Sequence, residues 1–220
     1  AQSINLALHQ GDWESIFRPA TNPEHPGLVK TMYGIGFSVF GLDPTLVERL
    51  IVVRGVSLLA GLGLVVLVSR VHPVAGMAVA LHTLHAKYSC QGYLDSIPAF
   101  LMAWAMLLGW KRKDTAEPWS IVGCGILWGA AMAGKWIHGL PGIVLLICMK
   151  QWRTRTCFLL VAIGFAWVLD PTAWLHPLER IQVMMHHHEA YASTVSDTSI
   201  WAPWLSLAGG GPSMWHPDVF

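Results

Sequence analysis

Lys87, Asp95, Lys135, His138 and Asp170 each stand at the end of an apolar run, and an ionisable side chain set against hydrocarbon is costly enough to call for a cause. Read together they make a polar site that neutralises an anionic group. Lys135 is the strongest single candidate, because it follows directly on the run Gly129 to Gly134. Taken one at a time, each has a plainer reading as a side chain that snorkels to the membrane interface; five at one depth carry more than any member. A second cluster lies in Pro23-Glu24-His25-Pro26-Gly27-Leu28-Val29-Lys30, where an acid, an imidazole and a cation sit on a proline-stiffened turn ahead of a glycine-containing apolar stretch. Pro26 is pre-set for a helix start, and the free N–H groups there attract anions; an ordinary proline turn is the alternative. His186, His187 and His188 with Glu189 invite a metal reading. Adjacent helical residues point in different directions, and no HExxH spacing is present, so the expectation is no metal site and a histidine patch facing water or headgroups.

The elements that must position these residues follow from composition. Of 220 residues, 54% are hydrophobic and 12% charged, about half the roughly 25% charged content of soluble domains, and the mean hydropathy is +0.47. A net charge of +1 and the lack of a long basic run exclude nucleic acid as a partner. Cys90, Cys124, Cys148 and Cys157 show no metal spacing and read as buried free thiols. Apolar runs over Leu46 to Val71, Pro73 to Ala86, Ile97 to Trp110, Pro118 to Gly134, Ile137 to Met149 and Thr156 to Leu169 predict an all-α, polytopic transmembrane helical bundle of about six spans. The stretch Lys87 to Ser96 is expected to be a polar turn between two of them.

Small residues such as Gly123-Cys124-Gly125 suit close helix packing in lipid. Basic residues recur in alternate short connections, at Arg70, at Lys111-Arg112-Lys113 and at Lys150, Arg153 and Arg155, the pattern of cytoplasmic loops. Residues 1–45, with an interfacial helix, and residues 173–220, rich in tryptophan, are then non-cytoplasmic, flanking a bundle over residues 46–172. Interfacial amphipathic helices on that face would roof a cavity.

Four segments resemble, in order along the chain, the C-type glycosyltransferases of the protein O-mannosyltransferase and aminoarabinose transferase superfamily. Pro23 to Lys30 resembles the EHPPLxK signature; Tyr88-Ser89-Cys90-Gln91-Gly92-Tyr93-Leu94-Asp95 resembles YSRxxxLD. Gly129 to Trp136 is similar to GLALxxKW/Y, and Asp170-Pro171 with Pro177-Leu178-Glu179-Arg180 to the DP and PLxR region. Gly27 replaces the second proline of the first signature, and Cys90 stands where an arginine that helps bind donor phosphate is usual; Lys87, three residues earlier, would share its helical face.

The resemblance implies sugar transfer from a polyprenyl-phosphate donor to a protein, lipid or glycan acceptor on the non-cytoplasmic face. The location would be the plasma membrane in a prokaryote and the endoplasmic reticulum in a eukaryote. The acidic catalytic base is expected upstream of Ala1, with Asp95 as a supporting acid that orients cations. The donor-phosphate or substrate site would draw on Glu24, His25, Lys30, Lys87, Asp95, Lys135, His138 and Arg180. Cations there would stabilise charge on the departing phosphate; the resemblance names no certain cofactor and leaves a divalent cation open. The competing expectations are a lipid-linked-sugar flippase or transporter, which needs broken helices and mid-membrane polar residues, and a non-catalytic membrane scaffold.

Overall fold

The computed structural model describes residues 2–11, 27–92, 94–112, 117–171, 174, 177–179, 181–183 and 185–186. Among the described residues the chain is all-helical, without a strand. Helix α1 spans Gln2–Gln10, α2 Gly27–Ser38, α3 Leu46–Ser69, α4 Pro73–Leu81, α5 Thr83–Gln91, α6 Ser96–Arg112, α7 Pro118–Gly134, α8 Leu140–Cys148 and α9 Trp152–Val168, with a 3-10 turn over Trp136–Gly139 between α7 and α8.

Helix α3 begins with a capping box: the Glu48 amide donates to Thr45 Oγ1 at 3.3 Å and the Thr45 amide to Glu48 Oε2 at 2.7 Å, which satisfies two of the donors a helix start leaves open. Its 24 residues rise about 36 Å at 1.5 Å per residue. It is the one described helix long and apolar enough to cross a membrane by itself. The apolar helices α6 and α7, at 17 residues each, and the Trp136–Cys148 segment are shorter, so six independent spans are not what the described residues display.

Two expectations are corrected here. The polar stretch is not a turn throughout: α5 remains helical to Gln91, and α6 begins at Ser96. Gly92 closes α5 in the left-handed region, with φ 75°, where a side chain is strained, and Val53 packs against it. Of the four cysteines, only Cys124 is buried, while Cys90 and Cys157 are exposed.

Chain direction follows from which residues meet. On α3 and the α4–α5 pair, Ser69 meets Gly76, Gly61 meets Ser89 and Val53 meets Gly92, so the pair runs antiparallel to α3. Pro98 of α6 underlies Gly134 of α7, and Gly109 lies near Cys124, again antiparallel. Gly125 meets Phe158 and Gly129 meets Ala162, so α7 and α9 are parallel. Arg70, Lys111 and Lys150 thus gather at one end of the bundle, and Asp95, Lys135 and Asp170 at the other.

One core joins α6, α7, α8 and α9 through Met102, Ala105, Cys124, Trp128, Leu145 and Phe158; Trp128 stacks on Phe158 with centroids 4.7 Å apart and donates its indole N–H to the Gly139 carbonyl at 2.7 Å. A second joins α2, α3 and α6 through Val29, Tyr33, Phe37, Val52 and Ile97. Helix α3 also carries Leu50, Ile51, Leu58, Leu59 and Leu62 exposed.

Candidate functional site

Lys135 breaks the chain between α7 and the 3-10 turn. Its backbone is extended, at φ −162° and ψ 121°, which swings the side chain off the apolar helix. His138, one 3-10 turn on, donates its amide to the Lys135 carbonyl at 3.0 Å, and residues three apart in such a turn project from the same side. Asp95 ends the α5–α6 reversal on the facing connection. The three meet: Lys135 Nζ lies 2.8 Å and His138 Nε2 3.0 Å from Asp95 Oδ1. All three side chains keep roughly a quarter of their surface open, so the cluster is a partly wet mouth rather than a sealed core.

Burial by itself would push the Asp95 carboxyl up; the hydrogen bonds from His138 and Lys135 and the Lys135 charge outweigh it and hold it at about 2, below its ordinary 3.8. A depressed carboxyl stabilises the fold above its unfolded value and loses that contribution as pH falls through its folded value. The Asp95 contribution is therefore expected to be constant at neutral pH and lost between about pH 4 and 2. Thermal midpoints of the purified protein across pH 2 to 6, compared with those of Asp95→Asn, check this; the variant should lack the acid step.

The supporting bonds come from residues that sequence reading did not single out. Ser96 Oγ donates to the Tyr88 carbonyl at 3.1 Å, tying the end of α5 to the start of α6. The Tyr33 hydroxyl of α2 lies 2.9 Å from Ser57 Oγ of α3 and donates to the Gly92 carbonyl at 3.4 Å. Asn5 Nδ2 of α1 donates to the Gly41 and Leu42 carbonyls at 3.0 Å each. A lone hydroxyl or amide in an apolar stretch is a weak signal in sequence, since its partner lies on another helix.

A separate hydrogen bond joins Asp170 and Gly27, 143 positions apart. The Gly27 amide donates to Asp170 Oδ1 at 3.0 Å, and Asp170 is 2% exposed. The glycine that departs from the EHPPLxK pattern thus supplies an N–H that proline lacks.

Beside the cluster is an apolar groove of about 480 Å³ walled by Leu28 and Met32 of α2, Val56, Leu59 and Ala60 of α3, Ile97 and Phe100 of α6 and Ala130 of α7. Ile97 is two residues beyond Asp95, and Ala130 lies five before Lys135, about 7 Å along α7 at 1.5 Å per residue.

Of the expected site residues, the structure joins Lys135, His138 and Asp95. Lys87 is half-buried on α5, and no hydrogen bond or ion pair holds it among the described residues; Lys30 is half-buried on α2. Glu24, His25 and Arg180 lie outside the described residues, as do His187, His188 and Glu189. Among the described residues no group of three or more His, Cys, Asp or Glu side chains could hold a metal ion. No family model, curated protein or solved structure matches this chain.

Proposed function

We propose that this chain belongs to an integral membrane glycosyltransferase of the C-type superfamily, moving a sugar from a polyprenyl-phosphate donor to a protein, lipid or glycan acceptor at the non-cytoplasmic face. The observation that carries the reading is the Lys135–Asp95–His138 cluster placed beside an apolar groove, a polar mouth bearing an ammonium next to a hydrocarbon seat. A polyprenyl phosphate presents those two chemistries in one molecule. The apolar helices α6 and α7, and Trp136–Cys148, cross the bilayer alongside α3 in this reading, and the exposed Trp110, Trp119 and Trp152 sit at its cytoplasmic interface.

In the transfer, the bond between the anomeric carbon and the phosphate oxygen breaks, the acceptor oxygen bonds to that carbon, and the acceptor's proton goes to a base. Lys135 carries three N–H donors, one of which meets Asp95, leaving others for the departing phosphate. Asp95, held near 2 by its partners, is a poor base near neutrality; it orients the Lys135 ammonium and the His138 ring, and a different carboxylate takes the proton.

A flippase is favoured by one specific observation: the α4–α5 pair is broken at His82, whose backbone is extended, and the polar α5 packs against Gly61 within the α3 span. Membranes containing the full-length protein, given radiolabelled polyprenyl-phosphate sugars, separate the two. Label passing to an acceptor supports the transferase. Donor crossing the bilayer with no covalent product overturns it in favour of transport.

A further inference from the structure

We propose that Asp170 is a positioning residue: acting through the Gly27 amide, it fixes the first turn of α2 and so sets one wall of the apolar groove. The carboxylate stands two residues past the end of α9, and its Oδ1 accepts from the Gly27 amide at 3.0 Å in a buried setting. A negative charge against a helix start is favoured both by the free N–H groups and by the helix dipole. Space is as closely defined as charge. A Cβ built on Gly27 would come 3.0 Å from both Asp170 Oδ1 and Pro171 Cδ, so any other residue requires the carboxylate or the proline ring to give by a few tenths of an ångström.

The consequence reaches the groove directly, because Leu28 is the next residue and Met32 follows one turn later, and both line it. The opposite end of α2 is held separately by Asn5, which donates to the Gly41 and Leu42 carbonyls. Releasing Gly27 therefore frees one end of the wall while the other stays anchored, which is a tilt of α2 rather than its loss.

The test uses the full-length protein in detergent or nanodiscs and reads two things. Backbone hydrogen exchange in peptides covering residues 27–33 reports the clamp whatever the ligand. Asp170→Leu removes the acceptor, Gly27→Pro the donor, Gly27→Ala adds only the Cβ, and Asp170→Asn keeps an acceptor oxygen. Asp170→Leu and Gly27→Pro should raise exchange there about tenfold, the size expected for a lost buried hydrogen bond to a charged group, while residues 121–133 of α7 stay protected. Asp170→Asn should remain within about threefold of the parent protein, and Gly27→Ala fall between. Equal exchange in Asp170→Leu and the parent, or in Asp170→Asn and Asp170→Leu, overturns the clamp; so does a rise spread evenly through α7.

The link to catalysis rests on the proposed transferase reading. With a polyprenyl-phosphate sugar as substrate, the clamp variants should raise KM about tenfold and leave kcat within about twofold, since the groove holds a part of the donor remote from the reacting bond. Faster exchange with KM unmoved refutes the groove-wall role. An absence of turnover in the parent protein counts against the transferase and leaves the exchange result to decide the clamp.

Discussion

On the proposed transferase reading, Lys135→Ala is expected to lower kcat for donor turnover by about a hundredfold or more, the scale on which losing one preorganised charge-stabilising donor is felt. The reasoning is local. Lys135 reaches Asp95 at 2.8 Å from an extended residue that no helix can reorient, so removing it strips the mouth of its ammonium and leaves Asp95 with His138 alone. Lys135→Arg should recover only part of the rate, because a planar guanidinium differs from a compact ammonium in reach and geometry. Radiolabelled transfer by membranes matched for protein content measures both variants. Unchanged turnover in Lys135→Ala removes the cluster from the chemistry; a fall in protein yield without a fall in specific rate gives it a purely structural role.

Gly129→Ala destabilises the bundle by about 3 kcal/mol, at the upper end of ordinary overpacking. At this point α7 and α9 approach backbone to backbone: a Cβ would run into the Ala162 carbonyl oxygen and come 2.8 Å from Phe165 Cβ and 3.0 Å from the Ala166 amide. Backbone atoms cannot rotate away as a side chain can, so the helices must separate. Separation also loosens the Trp128–Phe158 stack one residue back. In lipid such close contact does what water exclusion does for soluble helices. Gly164→Ala is the control, since nothing lies within 4 Å of its Cβ position; inside a helix and free of contact, it should stabilise by about 0.5–1 kcal/mol through helix propensity. Thermal unfolding in detergent with the two variants side by side decides it, and equal midpoints would refute the close-contact account.

The all-α class was legible because its signal is long: runs such as Leu46 to Ser69 repeat one property for 24 residues. The break at His82 was not, since nothing in Leu81-His82-Thr83 is a helix breaker; it arises where α4 packs on Ser69 through Gly76 and α5 on Gly61 through Ser89, a tertiary matter. Lys135, His138 and Asp95 could be singled out because each is expensive beside hydrocarbon, and their meeting was inferred from depth alone. Tyr33, Ser57, Ser96 and Asn5 escaped for the converse reason: a hydroxyl or amide in an apolar helix is inexpensive when bonded, and the partner belongs to another helix. Gly27 read as a defect in a motif, and its amide has a use only once Asp170 is seen beside it.

The bond between Gly27 and Asp170 joins residues 143 positions apart, and that interval is also a delay. At about 5–20 residues per second, a ribosome needs roughly 7–30 s to travel from the first partner to the second. Through that time the first turn of α2 lacks its Asp170 acceptor, and the bond can close only once α9 and the two residues after it have been made. A nascent chain halted before Asp170 holds α1 to α9 and every residue that lines the groove, with only that acceptor missing.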